Sequence, residues 1–156
     1  MSARSVVPAV ALLVVLASGC GRSRSDASAT VVDTTMADDS VSLTLEAPAS
    51  VQAGAAVPFR VVLGNVTDRQ VVLYTLGRDV TYDIAVSGPD GAEVWRRLGE
   101  SALQDILAVR TLAPRERIIL ETEWSGPRRA GTYTAVASVL TDDAPIRSRS
   151  IRFNIE

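Results

Sequence analysis

The sequence predicts an all-β fold, an antiparallel β-sandwich of about eight or nine strands, and three observations carry that prediction. From Val41 onward apolar residues recur with period two in short runs. Clusters of Gly, Pro, Asp, Asn and Ser interrupt these runs at spacings of about eight to twelve residues. No internal repeat, heptad or long helical period competes with them. Together they describe an immunoglobulin-like sandwich, in which each strand turns one face to the core and the other to water.

The runs read as follows. Val41, Leu43 and Leu45 alternate with Ser42, Thr44 and Glu46, and Val57, Phe59, Val61 and Leu63 share one face of the next run. Val80, Tyr82, Ile84 and Val86 alternate with Thr81, Asp83, Ala85 and Ser87. Ile118, Leu120, Thr122 and Trp124 face away from Arg117, Glu121 and Glu123. Tyr133, Ala135, Ala137 and Val139 form a further stripe, and Ile151, Phe153 and Ile155 close the chain. Turn residues separate them, among them Gly88-Pro89-Asp90-Gly91, Ala113-Pro114 and Ser125-Gly126-Pro127. The stretch from Ser101 to Arg110 breaks the pattern. Ser101 with Gln104 reads as a capping box and Leu103, Ile106 and Leu107 share a helical face, which predicts one short helical turn.

The first forty residues differ from the rest. Arg4 precedes an apolar run from Val6 to Leu16, followed by Ala17-Ser18-Gly19-Cys20, the layout of a secretory signal. The run is short of the roughly 20 apolar residues that a membrane-spanning helix needs. Small residues before a lone Cys resemble a bacterial lipobox, so residues 1–19 are expected to be a lipoprotein signal peptide and Cys20 the acylated N-terminus of the processed chain. The expected location is a bacterial cell-envelope membrane, with the lipid bilayer itself as the first partner. Cleavage removes Arg4 and no acid, which moves the net charge from −2 to −3. Residues 21–40 are rich in Ser, Thr, Ala and Asp without period, so 20–40 reads as a lipidated Cys and flexible tether, and 41–156 as the sandwich. Asp38 and Asp39 read as solvated charge.

Composition excludes much chemistry. The 156 residues contain no His and one Cys, which removes His-based acid/base catalysis, His/Cys zinc sites, Cys–His nucleophiles and an intramolecular disulfide. All 16 basic residues are Arg and they are scattered, so no basic stripe predicts nucleic-acid binding. Neither a Gly-x-Ser-x-Gly elbow nor a Ser-x-x-Lys pair is present. No cofactor, metal or enzymatic activity is expected.

Several landmarks occur in order: Phe59-Arg60-Val61 leading to Asn65-Val66-Thr67-Asp68; Tyr82-Asp83-Ile84; Gly91 followed by Val94-Trp95-Arg96; Leu112-Ala113-Pro114 with Glu116; Trp124; and Gly131-Thr132-Tyr133. The series resembles the BsuPI-type intracellular proteinase inhibitor family of small immunoglobulin-like β domains. Two positions depart from the family pattern. Arg97 stands where an aromatic is frequent, and Arg115 replaces the Gly of a Pro-Gly-Glu turn.

The landmark residues have local roles of their own. Trp95, Trp124, Tyr82 and Tyr133 are expected in the core, Tyr133 with its hydroxyl bonded to nearby backbone. Asn65 reads as a turn residue and Asp83 as an anchor for a loop through backbone N–H groups. The expected function is a membrane-tethered protein-binding module, with proteinase inhibition, and hence a protease partner, as the version that the resemblance implies. The alternative is a structural or accessory envelope lipoprotein domain without inhibitory activity. Arg128 and Arg129, in the turn from Gly126 to Gly131, are the candidate partner-binding residues, because an exposed Arg in a rigid loop fits an acidic pocket.

Overall fold

The computed structural model describes residues 29–37, 39–99, 106–125 and 129–156. Its regular structure there is entirely β, as expected, in twelve strands rather than eight or nine: β1 (Thr30–Ala37), β2 (Val41–Pro48), β3 (Ser50–Val51), β4 (Val57–Asn65), β5 (Val71–Leu76), β6 (Tyr82–Ser87), β7 (Glu93–Arg96), β8 (Leu107–Leu112), β9 (Arg117–Trp124), β10 (Gly131–Val139), β11 (Ile146–Arg147) and β12 (Ile151–Ile155). One sheet runs β1-β2-β4-β9. The facing sheet runs β3-β12-β10-β6-β7, with β11 beside β10, and β5 and β8 pair as a separate two-stranded ribbon.

The period-two runs place the core between the two large sheets. Leu43, Leu45, Val57, Phe59, Val61 and Leu63 from one sheet meet Ile84, Val86, Ala135, Val139, Ile151 and Phe153 from the other, all essentially sealed from solvent. Burying a side chain of this size stabilises by roughly 1.5–3 kcal/mol each, so the inward stripes fix the register of every long strand.

Two expectations need correction. Residues 30–37, read as tether, form β1, which pairs with β2 along its whole length from Thr30↔Pro48 to Ala37↔Val41. An edge strand draws its order from the neighbour's backbone ladder, and a count of apolar side chains does not register that. The helical turn is also overturned where it is described, because Leu107–Leu112 is strand β8, paired with β5 through Tyr74↔Val109 and Leu76↔Leu107. The cross-strand apolar pairs outweigh a helical face only three residues deep. Residues 101–105, and the signal peptide with Cys20 and residues 21–28, lie outside the described residues.

Candidate protein-binding site

Five aromatic rings close one end of the sandwich. Phe59 stacks on Trp95 at 5.9 Å, Trp95 on Trp124 at 6.2 Å, and Trp124 meets Tyr133 edge-on at 5.5 Å. Tyr133 then stacks on Phe153 at 5.9 Å, and Phe153 returns edge-on to Phe59 at 5.8 Å. Each contact lies in the range where ring quadrupoles attract, worth about 0.5–1.5 kcal/mol beyond area burial. Trp124, Tyr133 and Tyr82 are buried as expected, while Trp95 is half-buried.

The polar landmarks hold the connections. Tyr133 donates its hydroxyl to the Arg129 carbonyl at 2.7 Å, the local backbone bond expected of it. Gly131 has φ +149°, and a Cβ there would stand 2.5 Å from Pro89 Cγ, so the Gly-Thr-Tyr landmark needs its glycine. Asp83 Oδ1 accepts from the backbone N–H of Leu98 at 3.0 Å and its Oδ2 from Arg96 Nη1 at 2.7 Å, which anchors the loop after β7. Arg96 also grips Glu93, whose carboxyl is held below its ordinary value of 4.5 by the hydrogen bonds from the guanidinium. Arg97 covers the Tyr82 ring at 3.8 Å, so the cation stands over the aromatic face. Tyr82 in turn donates to the Glu121 carbonyl at 2.9 Å, tying one sheet to the other.

Arg129 is the one of the two expected partner-binding residues that is described. Its side chain is 72% exposed and reaches Asp90 at 3.5 Å, and its carbonyl is fixed by Tyr133. Arg128 lies outside the described residues. No metal-binding group of three or more His, Cys, Asp or Glu occurs among the described residues.

The opposite end carries the ribbon, a surface the sequence reading passed over. β10 starts beside Arg129 and finishes beside residues 140–142, which bond to β5 through Leu76 N–H to the Leu140 carbonyl and Asp142 N–H to the Tyr74 carbonyl. Nine residues of strand separate the two ends by about 30 Å. Asn65, only 3% exposed, organises the ribbon's root: its Nδ2 faces the carbonyls of Arg69 at 2.6 Å and Ala113 at 2.9 Å, and its Oδ1 accepts from Thr67. Glu116 accepts from the Ala113 N–H at 2.7 Å and from Arg110 at 3.1 Å. Arg115 adopts φ +60° in this turn, the left-handed conformation for which glycine is the usual residue, and bonds Asp68 at 2.8 Å.

The ribbon's inner face buries Leu112 and Thr75, but the outer face stays in water. Val72, Tyr74, Leu107 and Val109 are 45%, 47%, 53% and 63% exposed, and Ile106 adjoins them. These five are the larger part of the large exposed apolar side chains among the described residues. β8 is an edge strand. Its one charged residue, Arg110, is turned to Glu116, with Nε buried. Of the other edges, β5 is uncharged but bonds residues 140–142, β9 carries Arg117, Glu121 and Glu123, β7 Glu93, Arg96 and a bulge, β1 Asp33, and β3 is two residues long. Beside β5, a groove of about 430 Å³ runs from Val72 and Tyr74 to Asp142 and Asp143.

Comparison with known proteins gives the class. The family model described as BsuPI, intracellular proteinase inhibitor, matches residues 43–144, from the middle of β2 to the loop after β10. The match covers well over half of the chain, so the chain belongs to the BsuPI proteinase inhibitor family. No curated protein sequence matches it. Among solved structures it is similar to the CARDB domain of a Pyrococcus furiosus protein in complex with di-metal ions, at 16% identity and TM-score 0.42, over 78% of this chain and 92% of that one. It is also similar to the C-terminal domain of wzt, at 12% identity and TM-score 0.47, over 81% of this chain and 70% of that one. An alkylpurine DNA glycosylase from Pseudomonas fluorescens bound to abasic-site DNA matches at 13% identity and TM-score 0.42, over 70% of this chain and 28% of the glycosylase.

Proposed function

We propose that this chain is a membrane-tethered protein-binding module that inhibits a proteinase by occupying its surface, without chemistry of its own. Family membership supports the activity. The observation that carries the binding mode is the ribbon: an edge strand whose single charged side chain, Arg110, is turned to Glu116, and whose outer apolar side chains are held in water. Exposed apolar patches of this kind mark interaction surfaces, because they stay wet at a cost that a partner relieves.

Tethering assigns roles to the two ends. Cys20 is the proposed acylated residue, and two or more acyl chains hold a protein firmly where one holds it marginally. Between Cys20 and Thr30 the chain reaches no more than about 36 Å. Thr30 pairs with Pro48 at the aromatic end, so the tether joins the sandwich at the end opposite the ribbon. The Arg128–Arg129 turn is the second proposed contact, supported by the exposure of Arg129 and by the clamp on its carbonyl.

Two measurements test the reading. In the first, Cys20→Ala should release the protein from the membrane fraction and remove the acyl increment from its intact mass; a wild-type chain without that increment refutes the anchor. In the second, the chain is titrated against trypsin-like and subtilisin-like serine proteases. Inhibition at micromolar chain is expected for at least one, and its absence throughout favours an accessory envelope domain.

A further inference from the structure

We infer that the groove beside β5 receives a Lys or Arg side chain presented by an apolar segment of the partner protein. This rests on the reading of the chain as a protein-binding module and names the chemistry of what it binds. The groove is lined by Val72 and Tyr74 on β5, by Val41, Pro145 and Ile146, and by Asp142 and Asp143. Those two carboxylates are the only charged residues among the groove's described lining, and neither forms an ion pair with a described residue. A Lys or Arg carries an aliphatic stem behind a charged head, so the stem lies along Val72 and the Tyr74 ring while the head meets the carboxylates. Leu107 and Val109, on the same outer face, then cover the partner's flanking apolar residues.

A second copy of this chain fits the surface poorly. Pairing two β8 strands covers a patch about 20 Å long and one strand wide, far below the roughly 1,200 Å² that stable interfaces bury. It also repeats the acidic rim without complementing it. The observations therefore favour a different protein with a basic, apolar segment.

The test uses the full chain in detergent and two labelled probes, the pentapeptide Val-Lys-Val-Arg-Val and its counterpart Val-Glu-Val-Glu-Val, read by fluorescence anisotropy. The basic peptide is expected to bind at least tenfold more tightly than the acidic one, and added salt should reduce the difference. Asp142→Asn with Asp143→Asn should erase that discrimination, and Val109→Lys should weaken both peptides at unchanged thermal midpoint. Equal binding of the two probes, discrimination that survives in the double variant, or no binding of either at about millimolar peptide overturns the proposal. So does a concentration-dependent dimer that Val109→Lys dissolves, because it makes a second copy the occupant. No protease enters this assay. A chain that discriminates the peptides but inhibits nothing keeps the groove and loses the inhibitor reading, and the converse result loses only the groove.

Discussion

At one end of this sandwich five aromatic rings fill the space between the sheets, and at the other a two-stranded ribbon leaves Val72, Tyr74, Leu107 and Val109 in water. Both ends are apolar, and both are held by hydrogen bonds from buried landmark residues, Tyr133 at the first and Asn65 at the second. They differ in where the apolar surface points. At the aromatic end it is turned inward and contributes to stability; on the ribbon's outer face it stays in water, where we propose that a partner covers it. Substitutions at the two ends should therefore separate folding from binding.

The largest effect should come from Trp124→Ala, which removes a ring in contact with both Trp95 and Tyr133. Lost transfer energy and the cavity together cost about 3–5 kcal/mol, a large part of a small domain's stability. The denaturant midpoint should fall steeply, and a change below about 0.5 kcal/mol would place the ring outside the core.

Asn65→Ala comes next. It removes the side-chain donor that links the carbonyls of Arg69, Leu112 and Ala113 and the Oδ1 acceptor of Thr67, at about 1–3 kcal/mol. Because those bonds root the ribbon, amide exchange in β5 and β8 should quicken more than in β4 and β10. Uniform acceleration would show that the two ends unfold as one.

A smaller effect depends on pH. The Arg96 hydrogen bonds hold the Glu93 carboxyl below its ordinary value of 4.5. A depressed carboxylate contributes stability in full above its unfolded value and loses it as pH falls through the folded one. Stability should thus decline below about pH 4.5, and Glu93→Gln should flatten part of that decline. The pair is exposed, so solvent keeps the contribution small. An unchanged pH profile in the variant would remove Glu93 from the account.

Much of the aromatic end was legible in the sequence because its strands bury one face against another sheet, which writes a period-two stripe. Phe59, Trp124, Tyr133 and Phe153 all stand on such stripes, and the roles of Tyr133, Asp83 and Asn65 followed from local chemistry. The ribbon was not legible, for a physical reason. Leu107, Val109 and Ile106 are apolar without being buried, so a reading that equates apolar spacing with an inward face assigns them to a helix. β1 was missed for the opposite reason, since its order comes from the β2 ladder and its side chains contribute little. The proposed binding surface becomes visible only when the strand edges are compared and β8 is seen to expose Leu107 and Val109 while its one charge, Arg110, is turned to Glu116.

The smallest expected stability change is also the most informative about function. Val109→Lys places a charge on an exposed position of β8, within about ±0.5 kcal/mol of neutral for folding, and gives that edge the guard it lacks. Measured on a serine protease that the wild-type chain inhibits, Val109→Lys should raise the inhibition constant at least tenfold, while Arg129→Ala, at the second proposed contact, should raise it by a smaller factor. Inhibition that persists in Val109→Lys and disappears in Arg129→Ala would contradict the account and move the contact to the aromatic end.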